Sequence, residues 1–350
     1  MKTSDFFYEL PAELIAQQPL EHRDASRMLV ARNNRCTDST IQNLPQILRE
    51  AFPTGPLTLV VNDSRVYPAR VKIQRSTGAQ GEVFFLETGD EKESYKVLLR
   101  PQAKLKTGEW LLAGEEPLIQ VTSLDPPLVR LACPLSELLA RHGQMPLPPY
   151  IKRPAPQNSD KERYQTIFAS QEGSAAAPTA GLHFTPRLKA ACENLGIQFA
   201  PVTLHVGLGT FAPVQTENLT DHPMHEEWFL VPKSTAQILT EAQQGKGTII
   251  FVGTTSLRAV ESYFRAQQPK ETWTATRLFL YPQERPLSLA VGQGLLTNFH
   301  QPESTLVMLV SALMGYSFWK RSYTHAIQGK YRFFSYGDAN LILFSDSDKT

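Results

Sequence analysis

Between Val66 and Arg130 the chain consists of six short runs with strand character, at 69–74, 82–86, 95–99, 109–112, 118–123 and 128–131. Gly78, Gly81, Gly89, Gly108, Gly114 and Pro126-Pro127 punctuate them, residues that end strands because they favour turns. Strands this short at this spacing suggest a small barrel or sandwich. Outside the stretch the pattern differs. The dense run 57–61 ends at Asn62-Asp63-Ser64-Arg65, and 11–16 and 26–31 read as a short helix and a strand. Pro146-Leu-Pro148-Pro149-Tyr150 forms a stiff connection, and from about Asp160 strands alternate with helices. The segment 248–267 reads as strand, turn and helix, and a second helix is expected to start at Pro302 and stop at Gly315. The expected fold class is therefore α/β, a large α/β domain interrupted by a small six-stranded β-barrel. The α/β domain would comprise 1–65 and 151–350, and the barrel 66–150. A length of 350 residues fits two domains.

A net charge of +1 excludes a wholly basic protein, so a nucleic-acid partner would need a local patch. Three cysteines, odd in number and far apart, fit a reducing compartment better than a disulfide framework. Residues 1–10 lack the apolar core of a signal peptide, and the longest apolar stretch, 305–314, is half a membrane span. The expectation is a cytoplasmic protein with no membrane partner.

Two histidines lie in unusual runs. One is Gly173-Ser-Ala-Ala-Ala-Pro178-Thr179-Ala-Gly181-Leu-His183-Phe-Thr185; the other is Thr203-Leu-His205-Val-Gly207-Leu-Gly209-Thr210-Phe-Ala-Pro213-Val214. Glycine lets a backbone approach a ligand closely, threonine adds an uncharged hydroxyl, and histidine exchanges protons near neutral pH. Gly207 to Ala212 formally matches a dinucleotide fingerprint, but no helix follows Pro213, so that reading is rejected. Gly253-Thr254-Thr255-Ser256 opens a helix and would present backbone N–H groups to a carboxylate or polar edge. It lacks the Walker spacing of a triphosphate loop. Arg258 and Glu261 lie on one helical face, either beside that pocket or as a surface ion pair. In His222-Pro-Met-His225-Glu226-Glu227 the proline spoils helical presentation of metal ligands, so no metal is expected, and His225 with Glu226 reads better as an acid/base pair. Asn62, Asp63 and Arg65 end a buried strand where α/β proteins place ligands. From Phe318 to Tyr336, Lys320, Arg321, Lys330 and Arg332 are interleaved with seven aromatic residues, a combination suited to single-stranded RNA. The alternative is that much of this stretch is core.

These segments together resemble the S-adenosylmethionine:tRNA ribosyltransferase-isomerases of queuosine biosynthesis. The resemblance continues through Tyr8-Glu-Leu-Pro-Ala-Glu-Leu-Ile-Ala-Gln17, Arg23-Asp-Ala-Ser-Arg27 and Val61-Asn-Asp-Ser-Arg-Val-Tyr-Pro-Ala-Arg70. Pro146-Leu-Pro-Pro-Tyr-Ile151, Arg163-Tyr-Gln-Thr166, Thr297-Asn-Phe-His300 and Tyr331-Arg-Phe-Phe-Ser-Tyr-Gly-Asp338 complete it, in family order. It implies an α/β domain interrupted by a barrel. It also implies transfer and isomerisation of the ribosyl part of S-adenosylmethionine onto a 7-aminomethyl-7-deazaguanine wobble base, releasing adenine and methionine and leaving epoxyqueuosine. The partner would be a tRNA with a GUN anticodon; S-adenosylmethionine is a substrate, no cofactor is needed, and a monomer is expected. Proton transfer near neutral pH calls for histidine and carboxylate, so His183, His205, His225 and Glu226 are the catalytic candidates. The binding candidates are Asn62, Asp63, Arg65, Thr179, Gly181, Gly207, Gly209, Thr210, Thr254, Thr255, Arg258, Glu261, His300, Tyr336 and Asp338. Among these, His183, His205 and Arg258 are expected to line the S-adenosylmethionine pocket, Arg258 pairing with the methionine carboxylate.

The sequence departs from the family pattern at three places. Gln293 replaces the aspartate expected before Gly294-Leu-Leu, in a longer 281–294 loop. Ala79-Gln80 and the 100–106 segment carry less glycine and lysine than usual. These departures keep open a paralogue that binds S-adenosylmethionine or tRNA but has lost or changed its acceptor.

Overall fold

The computed structural model describes residues 1–86, 93–153, 159–207, 214–267, 271–283 and 287–344. A nine-stranded sheet forms its backbone. In spatial order the strands are Thr274–Thr276, Glu227–Leu230, Ile197–His205, Leu57–Asn62, Thr248–Val252, Gly294–Asn298, Ala339–Leu343, Arg27–Arg32 and Arg35–Thr40. The four from 197–205 to 294–298 are parallel to one another, while 227–230 runs antiparallel to 197–205 and 339–343 runs antiparallel to 294–298 and parallel to 27–32. Strand 57–62, Leu-Thr-Leu-Val-Val-Asn, is buried at every position, as a strand covered on both faces must be. Its side chains divide by period two. Val60 joins a core with Leu257, Val260, Val307 and Trp319, whereas Leu59 and Val61 join one with Leu44, Leu48, Leu188 and Cys192. Helices Thr254–Arg265, Thr305–Met314 and Tyr316–Gln328 therefore cover one face, and Leu44–Ala51 and Pro186–Asn194 the other.

Arg70–Arg75, Gln80–Phe85, Tyr95–Arg100, Pro127–Leu131, Glu116–Leu124 and Trp110–Ala113 pair antiparallel in that order, and the last pairs back with the first. The result is a closed six-stranded barrel, which leaves no open edge. Helix Leu135–His142 sends Leu135, Leu138 and Leu139 into the core built by Val71, Val83, Leu111 and Val129. No barrel strand pairs with the nine-stranded sheet among the described residues. The chain's passages into and out of the barrel meet at a separate cluster of Ala16, Val66, Met145, Tyr164, Ala177, Leu182 and Tyr336. Beside it, Ser64–Val66 pairs in parallel with Gln171–Ser174.

Three expectations need correction. The helix expected at Pro302 begins at Thr305, because the Ser304 hydroxyl accepts the Val307 N–H at 3.2 Å and caps it there. The short helix expected at 11–16 is a 3-10 helix confined to Ala12–Leu14. Phe318, Trp319, Tyr323, Tyr331, Phe333, Phe334 and Tyr336 are all buried, most of them against Phe6, Tyr8 and Phe299, so that stretch is core and offers no stacking platform for bases.

Candidate functional site

Strands 248–252 and 294–298 end side by side, and a narrow pocket of about 80 Å³ opens there. Gly253 makes the turn at φ +90°, a conformation that suits glycine, and a Cβ there would meet Ala180 Cβ at 3.6 Å. Ser256 Oγ donates back to the Val252 carbonyl at 2.7 Å, which ties the helix to the strand before it, and among the described residues no side chain at the N-cap accepts from its first N–H groups. Its first-turn residues Thr254 and Thr255 line the pocket, and Thr255 Oγ1 is buried with no hydrogen-bond partner among the described residues. N–H groups of a first turn have no carbonyl within their own helix to reach. Across the pocket, Thr179 Oγ1 donates to Asn298 Oδ1 at 3.0 Å. His300 Nε2 lies 2.9 Å from Thr297 Oγ1, and Tyr150 and Ser335 close the far end. Burial holds the His300 imidazole down to about 3, so it is neutral at physiological pH.

Arg258 lies one turn further along the helix, only 4% exposed. It does not pair with Glu261, its neighbour on the helix. Its Nη1 donates to Glu227 Oε2 and its Nε to the Leu278 carbonyl at 3.1 Å, while Nη2 is buried with no partner among the described residues. Glu227 comes from the 227–230 strand, lines the same pocket, and also accepts the Gly207 N–H at 3.4 Å. Glu261 accepts the Ala290 N–H at 2.7 Å, faces Arg265 at 3.7 Å and does not line the pocket; burial raises its carboxyl above the usual range.

The structure brings Thr179, Thr254, Thr255, Arg258 and His300 together around this pocket. His183 stands one layer behind, its Nε2 3.2 Å from Asn298 Nδ2, and burial, reinforced by nearby Arg332, lowers it to about 4. Gly181, on the same turn, is packed against Thr166, where a Cβ would come within 2.9 Å of the Thr166 methyl. His205 stacks on Trp273 with ring centroids 4.8 Å apart, and burial lowers its imidazole as well. His225 borders a small neighbouring cavity that shares Glu227 and Arg258 with the pocket. Glu226 points elsewhere, to Arg277 at 3.3 Å, and no hydrogen bond joins it to His225 among the described residues. Gly209 and Thr210 lie outside the described residues; Gly207 lies at their edge.

The 62–65 segment braces the chain instead of opening onto the pocket. Asn62 bonds the Leu204 backbone and Ser64. Asp63 accepts from Thr203 at 2.7 Å and Ser170 at 2.8 Å, and burial outweighs these bonds to raise its carboxyl. Arg65 is exposed opposite Glu172 at 3.6 Å. Tyr336 packs on Tyr164, and Asp338 accepts the Arg27 and Arg332 N–H groups. Among the described residues no group of three or more His, Cys, Asp or Glu could hold a metal ion.

A larger cleft of about 860 Å³ lies behind His183, between Arg23, Asp24, Arg163 and Arg187. Its cations are already engaged: Arg23 and Arg163 donate to backbone carbonyls, and Arg187 binds Asp24. The narrow pocket has the unpaired donors and is the better candidate despite its size. Sequence reading missed Glu227 and Asn298. Strand parity could have found Glu227, which shares a face with buried Phe229 while Trp228 points outward.

The family model described as queuosine biosynthesis protein matches residues 3–342. The chain is 43% identical over 348 residues to an S-adenosylmethionine:tRNA ribosyltransferase-isomerase of Thermotoga maritima, covering 98% of this chain and 100% of that protein. It is 42% identical over 356 residues to the Ruegeria pomeroyi protein of the same name, covering 98% and 99%. A crystal structure of S-adenosylmethionine tRNA ribosyltransferase from Thermotoga maritima superposes with a TM-score of 0.53 and 32% identity, over 97% of this chain and 100% of that one. With similarity running the whole length, the chain belongs to the queuosine biosynthesis family of S-adenosylmethionine:tRNA ribosyltransferase-isomerases.

Proposed function

We propose that the protein transfers and isomerises the ribosyl moiety of S-adenosylmethionine onto the 7-aminomethyl-7-deazaguanine wobble base of a GUN-anticodon tRNA, yielding epoxyqueuosine, adenine and methionine. The observation that carries this reading is the 43% identity sustained over 98% of the chain. S-adenosylmethionine would enter the pocket between Thr179, Thr254, Thr255, Arg258 and His300, its methionine carboxylate on Arg258. Ligand sites run to roughly 300–1,000 Å³, so the walls must part to admit it. A proton must leave the carbon beside the sulfonium, and an imidazole accepts it well only where its pKa lies near the working pH. His300 borders the pocket directly, so the burial that holds it near 3 must be relieved as the walls part before it can act as that base; His183 stands behind it at Asn298. We further propose that 66–150 is an inserted domain, and that the protein acts as a cytoplasmic monomer. No helix of the described residues is long and apolar enough to cross a membrane.

The paralogue reading rests on Gln293, where the family carries aspartate. That residue bridges the start of the neighbouring strand, its backbone N–H and side-chain Oε1 bonding Ile249 at 2.8 Å each. Ile249 is at the opposite end of its strand from Gly253, so the departure lies away from the pocket. The test is incubation with S-adenosylmethionine and tRNA bearing the aminomethyl base, followed by mass spectrometry of the digested nucleosides. Epoxyqueuosine is expected; binding of both substrates without product would favour the paralogue.

A further inference from the structure

We propose that Glu227 is the positioning residue for recognition of the substrate's amino-acid carboxylate, acting through Arg258. The inference rests on the reading that the pocket takes S-adenosylmethionine. A guanidinium is planar and rigid, so fixing two of its nitrogens fixes the direction of the third. Here Leu278 holds Nε and Glu227 holds Nη1, and both charged side chains are almost wholly buried. The remaining nitrogen, Nη2, is a buried donor with no partner among the described residues. Native proteins rarely leave such a donor unpaired, and an acceptor arriving with a ligand would satisfy it.

Two features select a carboxylate as that acceptor. Arg258 lines the pocket that opens at the start of its own helix, where first-turn N–H groups and the unpaired Thr255 hydroxyl supply further donors. A guanidinium N–H donates most strongly to an ionised oxygen, so the free Nη2 favours an anionic acceptor over a neutral one. Glu227 also accepts the Gly207 N–H, so one carboxylate ties the strand carrying His205 to the helix carrying Arg258. Without it the guanidinium could swing about its long side chain, and the ordering would have to be supplied when the ligand binds. The alternative that spacing leaves open, an ion pair of Arg258 with Glu261, is not formed, because the helix turns Glu261 toward Ala290 and Arg265.

The test compares S-adenosylmethionine with its decarboxylated analogue, which lacks only the carboxylate. Affinities are measured by calorimetry on the full chain, and KM and kcat are measured with the tRNA acceptor. The wild type is expected to bind the analogue about tenfold or more weakly, the size expected for one charge-assisted hydrogen bond. Glu227→Gln should weaken S-adenosylmethionine by about tenfold, raise KM in step, lower kcat much less, and leave the analogue's affinity within about twofold. Equal loss for both ligands, or unchanged affinity for S-adenosylmethionine, overturns the proposal. Should Glu227→Gln fail to fold, Glu227→Asp serves: it keeps the charge but withdraws it from Arg258, and the same selective loss is expected. Failure of the underlying reading looks different, because the wild type would then bind the two ligands alike. If the wild type discriminates and Arg258→Lys abolishes that discrimination while Glu227→Gln does not, the positioning role alone falls.

Discussion

Arg258→Met should cost the unliganded protein far more stability than a surface arginine would. The guanidinium is 4% exposed and neutralises a carboxylate that is itself 3% exposed. Removing one partner of a buried pair leaves the other charge uncompensated, at about 3–5 kcal/mol. At about 2.1 cal/mol/K per residue, a cooperative unit of about 265 residues, the 350-residue chain without 66–150, shifts by roughly 1.8 °C per kcal/mol, so Tm should fall by roughly 5–9 °C. The double variant Arg258→Met, Glu227→Leu removes both charges and the unpaired Nη2, and replacing a whole buried pair with apolar residues is commonly neutral or better. Stability should then return to within about 1 kcal/mol of wild type. Substrate affinity should not return, since the donor for its carboxylate is gone, and the deficit should stay at about 1.5–3 kcal/mol, or roughly ten- to 150-fold. Thermal denaturation and calorimetric titration of the wild type, both single variants and the double variant separate the two effects. A single variant losing under about 1 kcal/mol would refute the burial argument, and recovery of S-adenosylmethionine affinity in the double variant would refute the binding argument.

The folded-state values of His183 and His300, about 4 and about 3, lie below the ordinary 6.5, so between pH 6.5 and 4 the unfolded chain takes up protons that the folded chain refuses. Stability should fall with pH across that window by up to about 1.4 kcal/mol per unit for each group, and neither should contribute a slope above pH 7. His183→Gln and His300→Gln should each flatten the curve of denaturation midpoint against pH, and an unchanged slope would contradict their neutrality. Gly173→Ala, at φ +138° with a Cβ placed 2.7 Å from His205 Nε2, should displace that ring from Trp273 and cost about 1–3 kcal/mol. Unaltered tryptophan emission and unaltered stability would count against this packing. Residues 66–150 expressed alone should unfold cooperatively as a β protein, because their core is their own; a gradual transition would reject the inserted domain. An Arg321→Ala, Lys330→Ala variant should bind tRNA more weakly, with a salt slope lower by about one unit for each phosphate no longer neutralised. Arg153, paired with buried Asp160 at 2.7 Å, and Arg332, paired with Asp338, should affect stability instead. A double variant with wild-type affinity and salt slope would exclude this patch.

The barrel was legible because its signals are local. Each strand lies within a few residues of the turn that ends it, and all six appear where alternation and glycines indicate. The partner of Arg258 was not legible, because helical spacing reveals only neighbours on the same helix and Glu227 arrives from a strand 31 residues away. The two histidine runs look equivalent in sequence, yet one imidazole backs onto Asn298 and the other stacks on Trp273. Nothing local determines which way a loop histidine turns; the strands that carry it do. The basic and aromatic stretch at 318–336 was ambiguous for a related reason. Aromatics that could grip a base and aromatics that fill a core are the same residues, and only Phe6, Tyr8 and Phe299 closing over them decides the matter. Of the dinucleotide-like run 207–212, only Gly207 lies within the described residues.

Strand order in the large sheet also sets the sequence in which the chain can assemble during synthesis. The first hairpin, 27–40, touches the rest of the sheet only through 339–343, the last described strand to leave the ribosome. Strand 57–62 must likewise wait for 197–205 and 248–252. The barrel, by contrast, needs nothing beyond its own residues to close. A ribosome at mid-message therefore carries a finished barrel flanked by an unpartnered hairpin and an unpaired apolar strand, both exposed until the C-terminal region emerges. Loop closure over more than three hundred residues is what finally joins the hairpin to the sheet. The oldest segment of the chain is thus the one exposed longest, and it joins the sheet only when the five residues of strand 339–343 arrive to pair with it.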